Sequence, residues 1–347
     1  MKTNLTLLFL LLTTANFAQT IRRVNADATV TGTNVYTTLQ AAHNAATAGD
    51  ILIVEPGASV GPLNCTKTLS IYGRGYFLQF NPDYAQLPNN QRNAETGAIS
   101  IFASNCKISG LYIGNGFNIT VNGGASGTII SRNLFLVSAN IIITGGAGAP
   151  VNNTTITQNY LYGGNISMNG AATGFVNNIT ITNNAIFAIS FSATAAANYF
   201  SNVLINQNTI YAVPTTGGNA VISNNIFSVT SVDPNINLTN TTFNNNVTFG
   251  TSTINAGLGA NNIVIANIAG QFLSNVGGSG DNNYRVDNSS AIKTASSSGG
   301  EVGMFGGATP YVQYGIPATP AIIKLLNTGI GNSTTPITAT VSATSNN

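Results

Sequence analysis

One pattern recurs along the chain: a short strand of alternating polarity, a polar pair ending in asparagine, and a second apolar run. It reads SGTIISRNLFLV at 126 to 137, NNTTITQNYLYG at 152 to 163, NNITITNNAIFA at 177 to 188, SNVLINQNTIYAV at 201 to 213, GNAVISNNIFSV at 218 to 229 and TNTTFNNNVTFG at 239 to 250. With the asparagine before the second apolar run as marker, the repeat falls at Asn133, Asn159, Asn184, Asn208, Asn225 and Asn245. The period is irregular, about 22 residues, and a fixed short period of this kind is the mark of a solenoid.

No single unit can bury its own apolar side chains, but stacked units form a continuous core in which each strand pairs with its counterparts above and below. Two or three short parallel strands per coil of this length make an all-β, single-stranded parallel β-helix. In the unit at 177 to 188, period-two alternation predicts Ile179 and Ile181 inward, Thr180 and Thr182 outward, Asn183 and Asn184 at a turn, and Ile186 and Phe187 opening the next strand.

Composition agrees with stacking. Charged residues are 6% of the chain, and none lies between Arg132 and Asp233. In-register stacking would set each charge against its own kind, whereas asparagine amides bond along a ladder and asparagine tolerates the left-handed turn conformation. A formal net charge of +2 without clustered basic residues argues against a nucleic-acid partner.

The first 19 residues, MKTNLTLLFLLLTTANFAQ, have the layout of a secretory signal, with cleavage near Ala18 and Gln19. The apolar run is too short to span a membrane, and no later segment is long and apolar enough to do so. Residues 20 to 48 read as an N-terminal cap with a short helix from about Thr38 to Ala46, on which His43 is most simply structural. The β-helix then occupies 49 to 308, with a polar insertion at about 81 to 97; DNNYRVDNSSAIKTASSSGGEVGMFGG reads as its terminal coil, and 309 to 347 as a C-terminal cap or tail. Cys65 and Cys106 are the only cysteines. In an exported chain they either pair or stack as buried thiols, and with a single histidine they do not make a structural zinc site. No metal or other cofactor is expected.

The opening YTTLQAAHNAATAGDILIVEPG, the recurrent ITNNAIF-type coils and the closing YRVDNSSAIKTASSSGGEVGMFGG resemble the pectate-lyase-like superfamily of right-handed parallel β-helices, and within it secreted or surface β-helix proteins of the Bacteroidota. The resemblance spans about residues 22 to 308. It implies a right-handed coil, as does the general rule for parallel crossovers. It does not dictate function, because lyases, hydrolases, epimerases, adhesins and phage spikes share the scaffold.

A polysaccharide lyase or glycoside hydrolase needs converging carboxylates, or a strong base beside calcium. The central coils offer neither. The candidates are Arg74, Asp83, Arg92, Glu95, Lys107 and Arg132 near the N-terminal coils, and the aspartate motifs of pectate lyases and polygalacturonases are absent. The favoured expectation is therefore a non-catalytic secreted or cell-surface protein with a structural, adhesive or glycan-binding role. Its partner would be an extracellular polysaccharide or another surface component, met by Tyr160, Tyr162 and Tyr211, with Phe187 and Phe227 as further aromatics of the strands. A flat threonine array for ice or mineral is disfavoured: Thr155 and Thr157 recur as Thr180 and Thr182, and the next coil carries Leu204 and Asn206. The N-x-S/T matches, such as Asn153 and Asn178, follow from turn asparagines beside β-branched residues.

Overall fold

The computed structural model describes residues 19 to 81, 93 to 145, 148 to 170, 175 to 191, 199 to 212, 216 to 228, 237 to 250, 259 to 273, 280 to 319, 321 to 327 and 339 to 344. The signal-like segment to residue 18, Asp83 and Arg92 lie outside the described residues. Two large curled sheets, of 12 and 14 strands among the described residues, carry almost all the regular structure, and every pairing within them is parallel. In the first sheet the stacking order follows the chain order from Ile21–Val24 through Ile51–Val54, Ser70–Tyr72, Lys107–Ser109 and onward to Thr242–Asn244, which is the connectivity of a β-helix-like solenoid.

The core follows from the alternation. Ile71, Ile108, Ile130, Ile156, Ile181, Ile205, Ile222 and Phe243 are in register from strand to strand and all are fully buried. Each such side chain contributes about 2 to 3 kcal/mol by leaving water. A slip of one residue would turn the whole column outward, so the register is strongly specified. In the unit at 177 to 188, Ile179 and Ile181 are buried, while Thr180 and Thr182 are turned partly to solvent.

Two residues, buried in every coil up to Asn224 and Asn225, turn the chain from the first sheet to the second. The first has a left-handed backbone, at Arg132, Gln158, Asn183, Gln207, Asn224, Asn245 and Asn261, with φ between 54° and 60°. The second is an asparagine whose Oδ1 accepts the main-chain N–H of its predecessor one coil earlier, at 2.8 to 3.0 Å. This ladder runs Asn133, Asn159, Asn184, Asn208, Asn225, Asn246, Asn262, and begins where Leu111 donates to Asn133. The sixth rung is thus Asn246 and not Asn245: within the run of asparagines at 244 to 246, Asn245 takes the left-handed position and its neighbour the ladder. Each ladder amide also donates to the carbonyl of a core residue one coil earlier: Ile108, Ile130, Ile156, Ile181, Ile205, Ile222 or Phe243. The turn therefore satisfies backbone groups that burial would otherwise strand.

At the N-terminal end helix α1, Leu39–Ala45, is capped by the Thr38 hydroxyl and lays Leu39 and Ala42 on the core. Lys67 Nζ donates to the carbonyls of His43, Asn44 and Ala46, closing the helix C-terminus. His43 is buried, and its Nε2 accepts the N–H of Thr66 at 3.1 Å.

At the other end the last stacked strand is Ile263–Ile265. Residues 281 to 307, expected as a terminal coil, fall on two 3-10 turns, Gly280–Tyr284 and Ala291–Thr294, and add no strand to either stacked sheet. From Ser297 to Pro317 the chain runs back along the solenoid as a strap over the left-handed turns. Asn224 accepts the N–H of Ser297, Asn183 donates to the carbonyls of Met304 and Gly306, Gln158 to that of Pro310, and Arg132 to that of Ile316. Beyond it, Ala321–Asn327 and Ala339–Thr344 pair as an antiparallel ribbon.

Candidate functional site

Of the charges nominated from sequence, the four within the described residues, Arg74, Glu95, Lys107 and Arg132, are carried by separate elements. Lys107 opens a strand of the first sheet, exposed, in register with Ser70 and Ile129. Arg132 sits at the opposite end of those short strands, buried beneath the strap, its Nε donating to Gln158 Oε1 at 2.7 Å and its Nη1 to Ile316 O at 2.9 Å. Burial lowers its pKa, although the Tyr76 phenol opposes the shift. Nε and Nη1 are thus both bound to structural partners beneath the strap. Arg74 is half-buried just after Ser70–Tyr72, on the turn side.

Glu95 belongs to the second sheet, paired with Tyr112. The two line a shallow depression with Gly57, Ala58 and Asn93. Burial raises the Tyr112 phenol, and the Glu95 carboxylate adds to the shift. This depression offers one carboxylate, where hydrolysis requires two. Among the described residues no three of His, Cys, Asp and Glu gather as a metal site.

Sequence reasoning did not anticipate a buried phenol cluster under the strap. Tyr76 and Tyr311 share a hydrogen bond between hydroxyls, and Asp281 Oδ2 accepts from the Tyr311 hydroxyl at 3.2 Å and the Tyr314 N–H at 2.9 Å. Burial, reinforced by the negative charge of Asp281, pushes both phenols well above their ordinary range, which keeps them as neutral donors. The cluster is closed to solvent and anchors the strap.

Tyr160 belongs to this interior. It is 4% exposed, packed with Tyr76, Leu134 and Met304, and its phenol is raised chiefly by burial, so it presents no ring face to a ligand. Its alternation partner is outside: Tyr162 is 57% exposed. One coil on, Phe187 is 42% exposed, and on the next Tyr211 is 54% exposed. The rings of Phe187 and Tyr211 stack with centroids 4.9 Å apart and planes 14° apart. This follows from the register, because Ile186 pairs with Ile210 immediately before them.

The result is an exposed row of aromatics at the spacing of the strands. Beside it, on the outer face of the second sheet, the Ser190 hydroxyl donates to that of Ser167 at 3.1 Å. A row of flat apolar faces flanked by hydroxyls can stack on the C–H faces of a sugar chain and hydrogen-bond its rim. The signal in the sequence was an aromatic three residues after the ladder asparagine, at Tyr162, Phe187 and Tyr211; what the sequence did not show is that Tyr160 and Phe227, named with them, are buried. Scanned against models of known protein families, the chain matches none, and no curated protein sequence matches it.

Proposed function

We propose that the chain is a right-handed, single-stranded parallel β-helix of the pectate-lyase-like type, exported to the cell exterior, where it binds an extracellular glycan without cleaving it. Tyr162, Phe187 and Tyr211 form the contact. The observation that carries this reading is the exposed aromatic row itself: large apolar side chains in register on a rigid face, two of them already stacked, are costly in a lone soluble protein and useful against a repeating ligand. The dispersal of Arg74, Glu95, Lys107 and Arg132 weighs against catalysis.

Affinity electrophoresis against a panel of neutral and anionic polysaccharides tests it. A retarding glycan is expected, and the double variant Tyr162→Ala, Tyr211→Ala should weaken its binding about tenfold or more while leaving the circular dichroism unchanged. If no glycan retards the protein, the reading fails. Release of unsaturated products or reducing ends that is lost on replacing Arg74, Glu95 and Lys107 would instead establish an enzyme.

A further inference from the structure

Cys65 ends the strand Leu63–Cys65 of the second sheet, and Cys106 precedes the strand Lys107–Ser109 of the first sheet, one coil later. Lys107 donates its N–H to Leu69, so the counterpart of Cys106 in the earlier coil is Leu69 rather than Cys65. The two cysteines thus face each other diagonally across the turn that joins the sheets. Their sulfurs are 3.7 Å apart, both side chains are fully buried, and the nearest other polar atom to each is a backbone carbonyl, Lys67 O at 3.3 Å from Cys65 and Ala103 O at 3.4 Å from Cys106.

We propose that Cys65 and Cys106 close a disulfide as the chain folds, a covalent staple from one coil to the next that encloses the coil carrying the polar insertion. The sulfurs must approach to about 2 Å, a movement within reach of side-chain torsions at neighbouring positions. The Cys106 thiolate attacks a sulfur of an external disulfide, such as oxidised glutathione or the active disulfide of an exchange protein, and expels one thiolate. Cys65 then gives its proton to solvent and attacks the Cys106 sulfur, expelling the second. The two protein thiols lose two electrons and the external disulfide gains them. Because both sulfurs are sealed in the finished core, the reaction belongs to folding, before the coils close.

The ring spans residues 65 to 106, one whole coil with the insertion at about 81 to 97 inside it. Long inserted loops hold the neighbouring coils together least well, and a bond across the ring confines the ends of that loop in the unfolded chain as well as the folded one.

In the cell the bridge rests on the export reading, since an oxidising compartment supplies the oxidant; a refolding assay does not. Reduced, unfolded full-length chain is refolded with a mixture of reduced and oxidised glutathione, then denatured and alkylated. The expected product is about 2 Da lighter than the reduced chain, takes up no alkylating agent, and yields a joined Cys65–Cys106 peptide. Its melting temperature should fall by several degrees on reduction, and the variant Cys65→Ser, Cys106→Ser should melt with the reduced protein. Two alkylated cysteines, or glutathione left on either, would overturn the proposal. So would a melting temperature indifferent to reductant. Fractionation of cells tests export by itself: bridged protein in vitro with reduced protein in the cytoplasm refutes export and leaves the geometry standing.

Discussion

A buried asparagine in this chain has more obligations than its size implies. Asn184 accepts the N–H and amide of Asn159, and donates to Asn208 Oδ1, Ile156 O and Thr182 O. Replacing it by alanine leaves the Asn159 N–H and the Ile156 carbonyl without those partners in a dry interior. Asn184→Ala is therefore expected to cost about 2 to 4 kcal/mol in chemical denaturation, several times the cost of Thr180→Ala on the outer face of the same strand. The ladder position was legible in the sequence wherever one asparagine stands before the second apolar run, as at Asn208 after Gln207. It was not legible in the asparagines at 244 to 246, because the left-handed position and the ladder accept the same residue and only the hydrogen bonds tell them apart. Tyr160 and Tyr162 pose the same problem at the site: alternation puts them on one face, yet the strand Tyr160–Leu161 has ended before Tyr162, and the second tyrosine leaves the core.

Among the elements, the stacked strands were readable and the strap was not. Strands advertise themselves by period-two polarity; the strap binds through its carbonyls, which leave no trace in side-chain pattern. What does betray it is the choice of residue at the left-handed turns. Arg132, Gln158 and Gln207 lack the local advantage of asparagine there, and all three side chains reach the strap: the first two by hydrogen bonds, Gln207 by lying against Gly306 and Gly307. Gly315 marks the closest approach: its φ is +56°, and an added Cβ would lie 2.1 Å from the Tyr76 ring and 2.7 Å from the Arg132 carbonyl. Gly315→Ala should detach this end of the strap, destabilise the protein by about 2 to 4 kcal/mol and open residues 297 to 317 to limited proteolysis. Gly299→Ala, whose Cβ meets nothing within 4 Å, should cost only the backbone strain of about 1 to 2 kcal/mol and leave the strap protected.

Over the whole molecule charge is sparse, and two of the groups with a shifted pKa, His43 and Asp50, are buried at the N-terminal cap. Burial lowers the His43 pKa, and the Lys67 charge adds to this against the hydrogen bond with Asn44. The unfolded chain therefore binds this proton more readily than the folded one, so the contribution is complete above about pH 6.5 and is lost as pH falls below it. Asp50 is also buried, which alone would raise its pKa, but the N–H groups of Thr47 and Thr20 and the Arg22 guanidinium outweigh burial and lower it. Its contribution holds above the ordinary carboxylate range and is lost as pH falls through the lowered value. Thermal unfolding should therefore be nearly flat from pH 9 to about 6.5, decline in a first step below that, and decline again in the acid range; His43→Gln should remove the first step alone. Added salt should move the curve little, since the central coils hold no ion pairs to screen.

The asparagine ladder also has a direction. Every Oδ1 receives from the coil before it and every amide from Asn133 to Asn246 gives to the Oδ1 of the coil after it, so any coil that offers a left-handed residue followed by asparagine joins the series on equal terms. Rungs 24 to 26 residues apart and rungs 16 or 17 apart are bridged by the same bond. Loop length between rungs is thus free to vary, while the number of rungs can change only by whole coils: the length of this molecule is quantised, and growth or loss by duplication has a built-in unit.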